Sequence, residues 1–441
     1  MFNALKQNKQ ELLFIFTTAL VFRFAWFLTV FFINPDGFYF FDSHGYLELG
    51  QNILSKAEFG RFSDGYFYKE HFRTPGYPLL ISFFLALFKD LLPLVLFQVL
   101  CAALIPVLLY LITIRLEFSR KTALIASFLM VIDFPSILFA STILSETFFV
   151  FAFLLSVWLI LLARKKSSYT FFVLSALTIS FAILIRPIAI FLPFVIILLI
   201  RFEINKKIIV KYFVFLSLSY LLVFFWMYRN NHVFGFKFIS TVSNVNLLHF
   251  RAAEVYAKKH TISIQQARKY LEKQVVEEYE EIKTGYYRVD LKNGFAISNK
   301  IAWQIISENP LLFIKQSMQN GFLLLLKPAR SFVDYQLGFH VQALGTGYKS
   351  VVEKTSTFAL IASVFQIIIL MVTWLAFLAG VFILFKEKNF SLLIPLLLII
   401  LYYIVASSGT EADARLRMPL MPFVFIIAAK GFDGVKKFKY N

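Results

Sequence analysis

Apolar runs close to the length of a bilayer core recur from one end of this chain to the other, and they limit its folds more than any other feature. Runs at 12–33, 91–114, 122–134, 137–163, 169–185, 187–201, 208–228, 356–385, 390–406 and 418–430 hold few charges. A helix of roughly 20 apolar residues crosses the hydrocarbon. These runs lack the strict alternation of a transmembrane barrel, and an open sheet would leave backbone groups unsatisfied in lipid. The expected fold class is an all-α polytopic membrane protein of about ten transmembrane helices. Composition agrees: of 441 residues, 59% are hydrophobic and only 16% charged, against a quarter charged in soluble domains.

The formal charge of +18 does not point to nucleic acid here. Lys and Arg collect on the cytoplasmic side of spans and near anionic lipid, and they set the topology. Lys6 and Lys9 put the N-terminus inside and the loop after Ile33 outside. The run 12–33 is long enough to stay as an anchor rather than be removed as a signal. Arg115, Arg120 and Lys121 then mark the inside, so the run 79–88, closed by Lys89 and Asp90, is expected to lie at the outer surface as an amphipathic helix. Arg164 to Lys166, Arg201 with Lys206, Lys207 and Lys211, Lys386 to Lys388 and the basic tail (Lys436, Lys437, Lys439) continue the pattern, with both ends inside. The domains expected are a transmembrane module over 1–228 with its first external loop at 34–90, a large external region over 229–355 with a surface helix at 311–326, and C-terminal spans over 356–441.

The first loop reads PDGFYFFDSHGYLELGQNILSKAEFGRFSDGYFYKEHFRTPGYP. It holds Asp42 ahead of a helical pattern at 43–56, then His71, Arg73 and a Thr-Pro-Gly-Tyr-Pro turn. On spacing alone Asp42 is either the N-cap of that helix or a carboxylate base, and one residue can do both. External cations are exceptions to the charge rule: Arg61, Lys69, Arg73, Arg229, Arg415 and Arg417, with Arg186 before Pro187 in a very apolar setting. Guanidinium forks bind phosphate in bidentate fashion, so these could form an anion site. The alternatives are a snorkelling Arg186 and an ordinary polar loop around Arg415 and Arg417. Glu146, read as one to three turns inside a span, is expected to be functional or paired with an arginine.

No phosphate-cradling glycine loop, dinucleotide fingerprint, nucleophile elbow or His-Glu-x-x-His motif occurs. A nucleotide-driven pump is therefore not expected. Cys101 is the single cysteine and lies in an apolar run, so neither a disulfide framework nor a thiolate metal site is read. His44 and His71 lack the helical spacing of paired ligands; no metal or other cofactor is expected, a divalent ion being the minor alternative.

Four ordered groups of residues resemble the GT-C class of integral membrane glycosyltransferases, in particular family 39 and its protein mannosyltransferase-like and aminoarabinose-transferase-like relatives. They are Asp42 and Tyr46 with Arg73-Thr-Pro-Gly-Tyr77-Pro; Pro135 with Ser145-Glu146-Thr147; Arg186-Pro187 with Tyr228-Arg229-Asn230-Asn231, Phe234-Gly235 and Ser240-Thr241; and Arg415-Leu-Arg417-Met-Pro. Ser43 stands where many relatives carry a second acid, and Arg73-Thr74 where some carry lysine. The resemblance implies a sugar donor on a polyprenyl or dolichyl phosphate, used outside the cytoplasm, and Asp42 as the catalytic carboxylate.

With that resemblance, Asp42 is expected as general base of an inverting transfer. Arg73, Arg186, Arg229, Arg415 and Arg417, with Tyr46, His71, Tyr77 and Glu146, are expected to bind the donor phosphate and substrate. The helices 43–56 and 76–88 would frame the cavity and admit the prenyl tail. The partners expected are the donor, membrane lipid and a lipid, glycan or protein acceptor, in a bacterial inner membrane with the site facing out. The competing function is a lipid-linked sugar transporter or polymer exporter. It accounts for spans and external arginines but not for an aspartate beside a rigid Pro-Gly turn, and no internal repeat of the kind found in many carriers is visible.

Overall fold

The computed structural model describes every residue except 1, 64, 167, 200–205, 283–290, 340–355, 411 and 439–441. Arg201 and Lys439 among the topology markers, and parts of the region 229–355 expected to be external, therefore lie outside the described residues. Helix dominates because the lipid-facing backbone has to satisfy itself along each segment.

The helices are α1 (Phe2–Ile33), α2 (Phe41–Lys56), α3 (Gly76–Phe88), α4 (Leu92–Arg115), α5 (Arg120–Val131), α6 (Phe134–Leu138), α7 (Glu146–Lys166), α8 (Tyr169–Ile185), α9 (Leu192–Leu198), α10 (Lys206–Ser219) and α11 (Leu221–Phe234). The region 229–355 carries α12 (Val242–Val245), a π-helical turn at Asn246–Ala252, α13 (Ala253–Lys259), α14 (Ile264–Ile282), α15 (Leu291–Glu308), α16 (Pro310–Leu326) and α17 (Arg330–Gln336). The chain then runs through α18 (Thr357–Lys386), α19 (Phe390–Ser407), α20 (Ala414–Arg417) and α21 (Met421–Phe438).

The all-α polytopic membrane class is thus borne out. Among the described residues, five helices are long and apolar enough to cross a membrane (in α1, α4, α7, α18 and α19), and α10 with α11 makes a sixth if the pair, bent by 42°, is one span. The runs at 122–134, 169–185 and 187–201 fold as shorter helices. The last of these is a 3-10 turn, Pro187–Ala189, followed by the seven residues of α9. Helices α2 and α3 and the helix at 311–326 form where the sequence pattern places them. A two-stranded antiparallel hairpin, β1 (Gly60–Ser63) with β2 (Tyr66–Lys69), was not anticipated; it pairs Gly60 with Lys69 and Ser63 with Tyr66.

The main core joins α1, α4, α7, α8, α18 and α21. Helices α18 and α21 approach closely because Gly380 and Gly431 face the partner backbone: a Cβ on either would meet a carbonyl oxygen at 1.9 Å. A smaller core of Ala252, Ala253, Leu271, Ile297 and Ile301 holds helices α13 to α15 together.

The run expected as a span from 137 does not start there. Residues 139–145 are buried but not helical, and α7 begins at Glu146. The sequence FASTILS conceals the break because its polar side chains satisfy the unwound backbone locally. Thr147 Oγ1 donates to the Phe139 carbonyl at 2.9 Å, and Ser141 and Thr142 hydroxyls donate to that of Leu138. Other helices supply the remaining donors. Gln98 of α4 reaches the Thr142 carbonyl at 2.7 Å, Ser43 of α2 the Ile143 carbonyl at 2.8 Å and Gln336 of α17 the Leu138 carbonyl at 3.2 Å. Irregular backbone at membrane depth is tolerated only where protein satisfies it.

Candidate active site

Asp42 is the second residue of α2, not its N-cap. Phe40 holds the cap position with extended backbone, and its N–H donates to Ser43 Oγ at 2.7 Å. Ser43, standing where many relatives carry an acid, therefore closes the helix end and ties it to the Ile143 carbonyl. That leaves the Asp42 carboxylate for other partners. Oδ1 accepts from Arg73 Nη2 at 2.7 Å and Oδ2 from Arg415 Nη1 at 2.9 Å. Burial raises the Asp42 pKa, but the Arg415 and Arg73 guanidiniums outweigh it and hold the carboxyl below the usual carboxylate range.

Each arginine has a local reason to be there. Glu70 accepts from the backbone N–H groups of Phe72 and Arg73, at 2.6 and 3.0 Å, and bridges to Arg61 Nε at 2.6 Å. This fixes the turn that presents Arg73, whose guanidinium lies over the Tyr46 ring at 4.7 Å and donates to Tyr46 Oη at 3.1 Å. Proline after Arg186 disfavours the helical conformation there; Arg186 has φ −141° and ψ 113°, ends α8 and donates to Glu146 Oε1 at 2.6 Å. Gly76 lets the two motifs meet, since a Cβ would lie 2.7 Å from the backbone of Leu184 and Ile185. Arg415 comes from the short α20, capped by Asp413, and its Nη1 also lies 3.8 Å from Glu146 Oε1.

Asp42, Tyr46, Arg73, Glu146, Arg186 and Arg415 line one cavity of about 380 Å³. Its charged lining among the described residues is three guanidiniums against two carboxylates, a net +1. Glu146 is the first residue of α7, where helix polarity favours a carboxylate, rather than one to three turns inside a span.

Four candidates do not line the cavity. Arg417 follows Arg415 by two positions, about 200° around a helical turn, and donates to the carbonyls of Leu324 and Lys327 at 2.8 and 3.0 Å. Arg229 clamps the base of the hairpin, donating to the carbonyls of Glu70 and Phe59, both at 3.1 Å. His71 pairs through Nδ1 with Thr241 Oγ1 at 3.0 Å. Tyr77 is buried behind Tyr46 and donates to Gln98 Oε1 at 2.6 Å, orienting the glutamine that holds the Thr142 carbonyl. Helix α3 supplies none of the lining residues; it packs behind α2, with Gly50 against Ile81.

Sequence reasoning passed over Glu70, Asn246, Phe250 and Ser407. The last three line the cavity, Asn246 and Phe250 from the π-helical turn. Such turns recur at functional sites, but nothing in NLLHFRA announces one. Among the described residues no group of three or more His, Cys, Asp or Glu side chains gathers into a metal-binding cluster.

Residues 73–228 match the family model of dolichyl-phosphate-mannose-protein mannosyltransferase, so the resemblance to family 39-like GT-C proteins is borne out over that segment. No curated protein sequence matches the chain. The fold is similar to that of the Archaeoglobus fulgidus oligosaccharyltransferase in the apo form, at 16% identity and TM-score 0.53, over 98% of this chain and 51% of that one. The same enzyme tethered to an acceptor peptide containing the NVT sequon gives 14% identity and TM-score 0.52, over 97% and 50%. The chain thus spans about half the length of these structures, and at such identities the likeness establishes the fold. ArnT from Cupriavidus metallidurans aligns over 90% of this chain and 73% of its own at 10% identity, with a TM-score of 0.36, too distant to carry an argument.

Proposed function

We propose that this protein is a membrane glycosyltransferase that moves a sugar from a polyprenyl-phosphate donor to an extracytoplasmic acceptor with inversion, Asp42 acting as general base. The observation that carries the reading is the Arg73–Asp42–Arg415 clamp inside a cavity of net positive charge, in a chain whose segment 73–228 matches a lipid-phosphate-sugar-dependent family.

The chemistry follows from charge. A sugar on a polyprenyl phosphate is a phosphodiester carrying one negative charge, which the net +1 of the described lining residues balances. When an acceptor hydroxyl attacks the anomeric carbon, the bond to the phosphate oxygen breaks and a phosphomonoester leaves with a charge nearer −2. Arg73, Arg186 and Arg415 are prepaid donors for that second charge, favouring the transition state over the bound substrate. The hydroxyl proton passes to Asp42. A single displacement of this kind inverts the configuration at the sugar carbon. Both Asp42 oxygens are held by guanidiniums without ligand, so arginine bonds redirected to the phosphate return basicity to Asp42 as the donor binds. Sidedness rests on the positive-inside rule, which puts the cavity on the outer face of a cytoplasmic membrane.

The deciding experiment is transfer from a polyprenyl-phosphate hexose by the purified protein, with the product's anomeric configuration read by NMR. Retention of configuration, or turnover by Asp42→Asn equal to wild type, would overturn the mechanism.

A further inference from the structure

Two residues that line the cavity each carry a buried polar atom with no hydrogen bond among the described residues: Glu146 Oε2 and Ser407 Oγ. Glu146 opens α7 and Ser407 closes α19, so the two belong to rigid elements and not to a loose loop. Glu146 Oε1 accepts from Arg186 at 2.6 Å, with Arg415 at 3.8 Å, and no donor among the described residues reaches the other oxygen. A buried carboxylate oxygen left without a donor is among the more costly features a fold can carry. Asn246, from the π-helical turn, lines the same cavity and adds an amide that can donate and accept.

The chemistry of these groups defines what they can hold. Glu146 Oε2 only accepts, so its partner must be a donor, and a phosphate oxygen is excluded by charge and by type. Ser407 both donates and accepts, as does a sugar hydroxyl. Charge then narrows the choice. Among the described residues that line the cavity, three guanidiniums and two carboxylates leave +1, which one phosphodiester cancels. An uncharged sugar keeps the filled site neutral; an ammonium on the sugar would leave it positive, and a uronic acid would leave it negative in a buried setting.

We propose that Glu146, Ser407 and Asn246 form a subsite for the hydroxyl groups of a neutral sugar whose phosphate is held by Arg73, Arg186 and Arg415. This rests on the glycosyltransferase reading above and adds to it the wall that recognises the sugar and the charge class of that sugar. A hydroxyl-bearing ring can arrive on the donor lipid or on a glycan acceptor, and the measurement below separates the two.

The full chain, in phosphatidylcholine nanodiscs, is titrated with bare polyprenyl phosphate, with its glucosyl, galactosyl, mannosyl and amino-sugar esters, and with the matching methyl glycosides. A neutral glycosyl ester should bind more tightly than bare polyprenyl phosphate. Ser407→Ala and Glu146→Gln should each shrink that margin about tenfold, the value of one hydrogen bond to a charged or buried group. Ser407→Ala leaves every charge in place, so bare-phosphate affinity and melting temperature should stay at wild-type levels and the test survives if Glu146→Gln unfolds. Loss confined to the methyl glycosides assigns the same subsite to an acceptor sugar. An unchanged margin in Ser407→Ala, or tighter binding of the amino-sugar ester than of every neutral one, overturns the proposal. Failure of the wild type to bind bare polyprenyl phosphate would instead overturn the functional reading beneath it.

Discussion

Arg415 Nη1 lies 2.9 Å from Asp42 Oδ2 across a sequence separation of 373 residues, and the same nitrogen is 3.8 Å from Glu146 Oε1. One guanidinium therefore sits between the two carboxylates of the cavity. Its positive charge offsets the repulsion between them, which like charges sharing a site would otherwise feel.

Arg415→Lys is expected to lower kcat by at least about 100-fold, because a lysine offers a point charge in place of a fork that spans two carboxylates and the leaving phosphate. Melting temperature should fall modestly, since charge balance is kept. Steady-state transfer kinetics and thermal unfolding in detergent measure the two effects; unchanged kcat would remove Arg415 from the reaction.

Asp42→Asn should reduce transfer by about 10² to 10⁴-fold, the usual contribution of a positioned base. Binding of polyprenyl phosphate should persist or tighten, because the substitution removes a negative charge that competes for Arg73 and Arg415. Equilibrium binding beside a turnover assay separates these outcomes.

The pH dependence of stability has a defined sign. The Asp42 pKa is lower in the folded protein than in the unfolded chain, where it is about 3.9, so its contribution is fully present above that value. It is lost as pH falls through the depressed folded value. Melting temperatures measured from pH 7 down to pH 3 should therefore fall less steeply for Asp42→Asn than for wild type, and Asp42 should give no titration step in the rate between pH 5 and 8.

Gly76→Ala should cost about 1–3 kcal/mol by overpacking, because its methyl would enter the backbone of Leu184 and Ile185 at 2.7 Å. The displacement moves Arg73 relative to Arg186, so kcat should drop along with stability. Arg229→Gln should behave differently: the hairpin base loses its clamp at Phe59 and Glu70, melting temperature falls, and the folded fraction retains most of its turnover.

Much of this architecture was legible in the sequence. Helices α2, α3 and α16 and the long spans follow from periodicity and charge, and the Glu146–Arg186 pair was one of two outcomes open to a buried acid. The start of α7 was not legible, because hydropathy cannot distinguish a helical turn from unwound backbone whose carbonyls are met by Ser, Thr and Gln side chains. Arg415 and Arg417 read alike as external cations; only helical geometry sends one to the cavity and the other to the carbonyls of Leu324 and Lys327. Arg229 has the same composition-level signature and serves the hairpin instead. The cavity contributions of Asn246 and Phe250 depend on a π-helical turn that no residue pattern signals.

The unwound stretch before α7 constrains how this protein can change. Ser43, Gln98, Thr147 and Gln336 each hold a main-chain carbonyl of residues 138–143, and Trp26 holds Gln336 in turn through its Oε1 at 2.8 Å. Replacing any of the four with leucine would remove a side-chain donor from a main-chain carbonyl in an apolar interior. Neighbouring leucines and isoleucines can trade places with one another at little cost. The slowest-evolving positions of the buried core should accordingly be its polar ones, several of them far from any substrate.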